Sequence, residues 1–173
     1  MNNQEITLGK YSYGTVHRRG HGNKVVIGAF VSIGENTIFD GGMSHNPKLI
    51  TTFPFNCVWS GLSHLTGHPV LRGDITIGND CYIGQNSIIM SGVTVGDGGV
   101  VGAMSFVTKN IPPYEIWGGV PAKFIKKRFT DEQINKLLEL KWWDFEDSEI
   151  EKIAPMLMSE NIEELFEYYK LNY

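Results

Sequence analysis

From Leu71 to Val107 an aliphatic residue recurs every six positions, at Leu71, Ile77, Ile83, Ile89, Val95, Val101 and Val107. Glycine follows four of these, as Gly78, Gly84, Gly96 and Gly102, and the residue four places on is small or β-branched: Ile75, Cys81, Ser87, Val93, Gly99 and Ser105. Ile27, Gly28, Ile33, Gly34 and Phe39 carry the same rhythm earlier. A period of six fits neither an amphipathic helix nor an alternating strand. It predicts a parallel β-helix in which each hexad is one short strand and its corner, and three hexads close a triangular coil. The aliphatic residue fills the interior, and Gly or Asn lets the backbone turn. Stacked coils bury a core that no single coil could bury alone. Four to five coils are expected between about residues 8 and 112.

Counting in sixes from Ile27 leads through Ile33 and Phe39 to His45, and the rhythm resumes at Leu71, a separation that is not a multiple of six. An excursion is therefore predicted over 45–70. Loops this long in compact domains are functional or disordered. This one holds Phe53, Phe55, Trp59 and Leu62, which argues for an ordered wall of a pocket. The β-helix with its loop is assigned to 1–113, and 114–129 reads as a connecting segment.

Beyond Pro112 and Pro113 the pattern turns helical, so 130–173 is assigned as a small α-helical tail. Thr130 and Gln133 form a capping box ahead of Ile134, Leu137 and Leu138, and Ser148 with Glu151 is expected to open the next helix. Residues 161–170 predict a third. Trp142, Trp143 and Phe145 are expected to anchor its packing.

The chain has 173 residues and a formal net charge of −4, without the broad basic surface that nucleic-acid binding uses. Its N-terminal stretch lacks the pattern of a secretory signal, and no apolar run is long enough to span a bilayer. No membrane insertion and a cytoplasmic location are expected. The two cysteines, Cys57 and Cys81, do not read as a disulfide, since Cys81 occupies a packing position of the repeat. Five basic residues, Lys109, Lys123, Lys126, Lys127 and Arg128, cluster at the end of the repeat. They suit phosphates or form a solvated face.

GKYSYG, IGAFVSIG, GGMSH followed by TTFPF, the run from Gly73 to Phe129 and the WWDF tail together resemble the xenobiotic-acetyltransferase branch of the hexapeptide acyltransferases. That branch holds sugar O-acetyltransferases and the hexapeptide chloramphenicol and streptogramin acetyltransferases. The spacing H-x5-T-T-F-P-F points to the branch, although this chain reads GGMSH where members often read GGNH. The resemblance implies a left-handed parallel β-helix and a homotrimer with active sites at subunit interfaces. It also implies acetyl-CoA as donor, no metal, and His45 as general base. For coenzyme A it implies Gly84, Gln85, Ala103, Thr108, Lys109, Lys123 and Lys126. Tyr11, Tyr13, Phe53 and Phe55 are candidates for the acceptor pocket, since aromatic faces suit sugar rings and apolar drugs alike. The chain is short for a drug-modifying member, which favours a saccharide hydroxyl.

Four other functions compete, the first being transfer to a hydroxyl of chloramphenicol or a streptogramin. An amine acceptor on a nucleotide-linked sugar would need less base assistance. A noncatalytic scaffold would show no coenzyme A binding. A zinc enzyme like the γ-type carbonic anhydrases would draw on His17 and His21 or His64 and His68, but Gly20 and Gly67 interrupt both H-x3-H spacings in segments that do not read as helical.

Overall fold

The computed structural model describes residues 6–20 and 22–172. The chain divides into two compact units, Met1–Lys126 and Lys127–Tyr173. In the first, the opening coil carries β1 (Ile6–Leu8) and β2 (His17–Arg19), and the second carries β3 (Val25–Ile27), β4 (Ser32–Ile33) and β5 (Ile38–Asp40). The third carries β6 (Ile75–Ile77), β7 (Tyr82–Ile83) and β8 (Ile88–Met90), and the fourth β9 (Thr94–Val95), β10 (Val100–Val101) and β11 (Phe106–Val107). Then come β12 (Glu115–Gly118) and β13 (Lys123–Lys127). They form three sheets, β1-β3-β6-β9, β4-β7-β10-β12-β13 and β2-β5-β8-β11, with successive coils pairing in parallel.

The six-residue phase is visible in this register. Ile77 lies beside Val95, Ile83 beside Val101 and Ile89 beside Val107, each pair separated by three hexads. All six are buried, as are Ile27, Ile33 and Phe39. Each such side chain stabilises the fold by roughly 1.5–3 kcal/mol. Leu71 departs from the expectation: it is 49% exposed, and the core resumes at Ile75. The aliphatic spacing there coincides with the repeat without sharing its environment.

Corner chemistry also differs from the simple expectation. The left-handed backbone position falls three residues after the core aliphatic, at Phe30, Asn36, Asp80, Asn86 and Met104, with φ between 54° and 59°. The glycine directly after the aliphatic serves close approach instead. A Cβ on Gly34 would stand 2.4 Å from the backbone nitrogen of Gln85, and one on Gly84 2.4 Å from that of Ala103. Hydroxyls inside these corners satisfy buried carbonyls: Thr37 Oγ1 donates to Gly34 O at 2.9 Å and Ser105 Oγ to Gly102 O at 2.6 Å.

The segment 114–129, expected as a connector, carries β12 and β13. Val101 lies beside Trp117, a step slightly short of three hexads, so the second sheet continues past Pro113. In the second unit α2 (Asp131–Leu140) opens on the Thr130–Gln133 capping box and buries Ile134, Leu137 and Leu140. Next, α3 (Asp147–Leu157) starts after Glu146 with no side-chain cap, so Ser148 lies within the first turn rather than capping it. The last helix, α4 (Ile162–Asn172), buries Leu165 and Phe166. Trp142 and Trp143 are buried, and Phe145 stacks on Tyr169 with ring centroids 6.3 Å apart.

Gly34→Ala is expected to force the second and third coils apart at a corner that has no slack. A cost of about 2–3 kcal/mol should appear as a fall in thermal midpoint of at least about 5 °C. Thermal denaturation followed by circular dichroism reads it.

Candidate active site

Between β5 and β6 the chain leaves the coil. Ile27 lies beside Ile77 rather than beside a residue three hexads on, so the whole excursion is inserted while the register is kept. The two ends of the excursion meet: Val70 N–H donates to Ser44 O at 2.8 Å in an antiparallel bridge. On the return, Asp74 Oδ1 accepts from Lys24 N–H at 2.7 Å, and Ile75 N–H donates to Lys24 O at 2.9 Å. A short helix, α1 (Phe55–Val58), and a 3₁₀ turn, Ser60–Leu62, order the segment between.

His45 follows the bridged Ser44 and is exposed. Its Nδ1 lies 2.6 Å from Thr52 O. A carbonyl only accepts, so Nδ1 carries the proton and a neutral ring keeps its lone pair on Nε2. That is the form a general base needs. Thr52 precedes Phe53, whose ring meets Phe55 edge-on at 4.8 Å, and Phe55 lies 6.2 Å from Trp59. Phe53 is 49% and Trp59 59% exposed, so an apolar aromatic surface adjoins the residue that orients the imidazole.

The remaining candidates distribute by corner. Gly84 and Gln85 follow β7 and Ala103 follows β10, one coil apart at the corner between the second and third sheets. Thr108 and Lys109 follow β11 at the corner between the third and first sheets, where the excursion also leaves after β5. Lys123 and Lys126 lie on β13 at the edge of the second sheet. Lys109, Lys123 and Lys126 are exposed and have no ion-pair partner among the described residues. Lys127 pairs with Asp131, and Arg128 lies over Phe129 at 5.3 Å, so both are engaged locally. Tyr11 and Tyr13 stand on the first coil, Tyr11 against Phe30 at 5.1 Å and Tyr13 bridged to Ser32 in the second sheet. One chain therefore does not gather them with His45.

Of the H-x3-H pairs, His17 lies in β2, His21 falls outside the described residues, and His64 and His68 lie in the excursion beyond its helix. Among the described residues, no three His, Cys, Asp or Glu side chains come together as a metal site. No described helix is long and apolar enough to cross a membrane.

The family model for bacterial transferase hexapeptide repeats (six repeats) matches residues 74–109. A probable macrolide acetyltransferase of Lysinibacillus sphaericus is 45% identical over 153 residues, covering 86% of this chain and 85% of that protein. The chain belongs to the hexapeptide-repeat acetyltransferases. A chloramphenicol acetyltransferase of Morganella morganii is 36% identical over 189 residues, covering 98% of this chain and 90% of the relative. Among solved structures, a hexapeptide-repeat acetyltransferase of Vibrio cholerae complexed with acetyl coenzyme A superposes with a TM-score of 0.60 at 28% identity, covering 73% of this chain and 62% of that one. Membership implies the left-handed parallel β-helix and makes the protein an acetyltransferase that uses acetyl-CoA.

Two elements of the site were not foreseen. Thr52 contributes only a backbone carbonyl, a role that the H-x5-T-T-F-P-F spacing does not announce. His68 is tied through its Nδ1 to Asn46 N–H at 3.2 Å. Its signal in the sequence is position, two places before the bridged Val70.

Asp74→Ala is expected to loosen the return of the excursion by removing the acceptor for Lys24 N–H. Opening should rise about fivefold, read as faster limited proteolysis within 48–66 at an unchanged global midpoint.

Proposed function

We infer that the enzyme moves an acetyl group from acetyl-CoA to a hydroxyl of a small-molecule acceptor, with His45 as general base. The hydrogen bond from His45 Nδ1 to Thr52 O carries this reading, because it leaves Nε2 free to take a proton. His45 removes the hydroxyl proton as that oxygen attacks the thioester carbonyl carbon. When the C–S bond breaks, His45 returns the proton to the sulfur, leaving an acetyl ester and a thiol.

Acetyl-CoA fits the residues present. Gly84, Gln85, Ala103 and Thr108 are the proposed wall for its pantetheine arm, and Gln85, Ala103 and Thr108 are exposed. Lys109, Lys123 and Lys126 are proposed to face the phosphates, where exposed cations form charge-assisted hydrogen bonds. Because His45, Tyr11 and Tyr13 lie apart in one chain, we assign a homotrimer in which acceptor pockets form between copies. Exposed Met43, Phe53, Val58, Trp59 and Leu65 supply apolar surface for that contact.

The acceptor is assigned as a saccharide-type hydroxyl set against Phe53 and Phe55. Chain length no longer favours it over a drug, since the chain covers 90% of the chloramphenicol acetyltransferase. The names of the two full-length relatives favour a second reading, acetylation of an antibiotic hydroxyl. A macrolide carries sugar rings on an apolar body and satisfies both.

Thiol release from acetyl-CoA separates these readings, using methyl galactoside, a nucleotide-linked amino sugar, chloramphenicol, virginiamycin and a glycosylated macrolide. His45→Ala is expected to lower kcat/KM on the order of 10²–10⁴-fold. A nearly unchanged rate with an amine acceptor would sink the hydroxyl reading. Lys109→Ala and Lys126→Ala should raise KM for acetyl-CoA about fivefold each, with a smaller effect when the donor lacks its 3′-phosphate.

A further inference from the structure

A second imidazole lies beside the first. The rings of His45 and His68 meet edge to face, with centroids 5.3 Å apart and planes at 69°. His68 is only 9% exposed, whereas His45 is open to solvent. Asn46 N–H donates to His68 Nδ1 at 3.2 Å, so that nitrogen carries no proton and the neutral ring has its N–H at Nε2. His68 Nε2 is buried and has no hydrogen-bond partner. Asn56 Nδ2 donates to His68 O at 2.7 Å.

Purely structural histidines satisfy their buried nitrogens, and a buried donor left unpaired beside a candidate base points to a function. Through ring and carbonyl, His68 ties the outgoing limb of the excursion at Asn46 to the short helix at Asn56, while its ring packs on His45. His45 is held from the other side by Thr52 O. The two imidazoles thus have opposite tautomers, His45 with its lone pair outward on Nε2 and His68 with its lone pair spent on the loop backbone.

We propose that His68 is a positioning residue for acetyl transfer, a buried imidazole whose Nδ1 bond to Asn46 N–H and edge contact hold the His45 ring in the orientation in which Thr52 O fixes its tautomer and Nε2 is left to act as base. This deepens the reading of His45 as general base and rests on it. His68 touches neither substrate in this scheme.

Two substitutions separate the ring's parts. The side-chain oxygen of His68→Asn replaces Nδ1 as acceptor for Asn46, whereas His68→Gln places its amide near the former Nε2 and leaves Asn46 N–H unpaired. With methyl galactoside or chloramphenicol as acceptor, or water where neither reacts, His68→Gln is expected to lower kcat ten- to a hundredfold, on the order set by misplacing a base. KM for acetyl-CoA should stay unchanged. His68→Asn should remain within about threefold of the parent, as restoring the one hydrogen bond requires. Imidazole 15N spectra should show His45 as the Nδ1–H tautomer and His68 as the Nε2–H tautomer in the parent, with the His45 signature lost only in His68→Gln.

Equal loss in both variants, or no loss in either, overturns the proposal. So does the opposite tautomer of either ring in the unmodified protein, a reading that needs no variant to fold. A His45→Ala enzyme with undiminished turnover would overturn the base assignment itself, while the parent spectra still report whether His68 holds His45.

Discussion

The close approach of successive coils at their corners is the constraint on which the rest of this structure depends. At Gly34 and Gly84 the next turn of backbone lies where a Cβ would sit. Parallel coils of three hexads can stack this tightly only if every turn closes in register. The long insertion between β5 and β6 is not absorbed in the wall; the chain leaves and comes back to the same place. Its return still sets Ile75 beside Val25. Rigid walls on both sides make its root a fixed point, and His45 stands immediately beyond it. Preorganisation of this kind comes from the solenoid, whose burial of aliphatic side chains opposes any change at the root.

The proposed base, His45, is oriented by a carbonyl rather than a carboxylate. In a serine-protease triad a buried acid fixes the tautomer and stabilises the imidazolium. Thr52 O fixes the tautomer of His45 without bringing a full negative charge into the site. That suits a proton that is taken from a hydroxyl and soon handed to a departing sulfur, since a strongly stabilised imidazolium would release it reluctantly. The same stretch of backbone continues into Phe53 and Phe55. Base orientation and the aromatic surface are therefore set by one local conformation.

Most of the first unit was legible because the repeat reports its own environment: Ile77, Ile83, Ile89, Val95, Val101 and Val107 share one phase and one interior. Leu71 shows where that reasoning stops, since spacing alone cannot tell a core aliphatic from an exposed one just before re-entry. The fifth turn was hidden because Ile111 follows Val95, and Trp117 follows Val101, by slightly less than three hexads, which breaks the phase just after Val107. Phe30 and Met104 in left-handed corners were equally invisible, as neither residue type announces that backbone. Within the site, His45 was marked by the broken rhythm. His68 was not, because its link to Asn46 closes across most of the excursion and depends on how that segment folds.

The register also constrains how a donor can reach this base. Phe39, Ile89 and Val107 lie side by side in the third sheet, so Lys109 stands two coils beyond the corner from which the excursion leaves. Two strand spacings amount to roughly 10 Å along the axis. With phosphates near Lys109 and the thioester near His45, as proposed, the arm between them runs lengthwise past exposed Gly92, and Gly84, Gln85 and Ala103 at the neighbouring corner line it from another copy. A bulky side chain there would obstruct the path without touching either end. Repetition thus holds the root of the excursion and Lys109 at a fixed separation along one corner, which is what the proposed path of the donor requires.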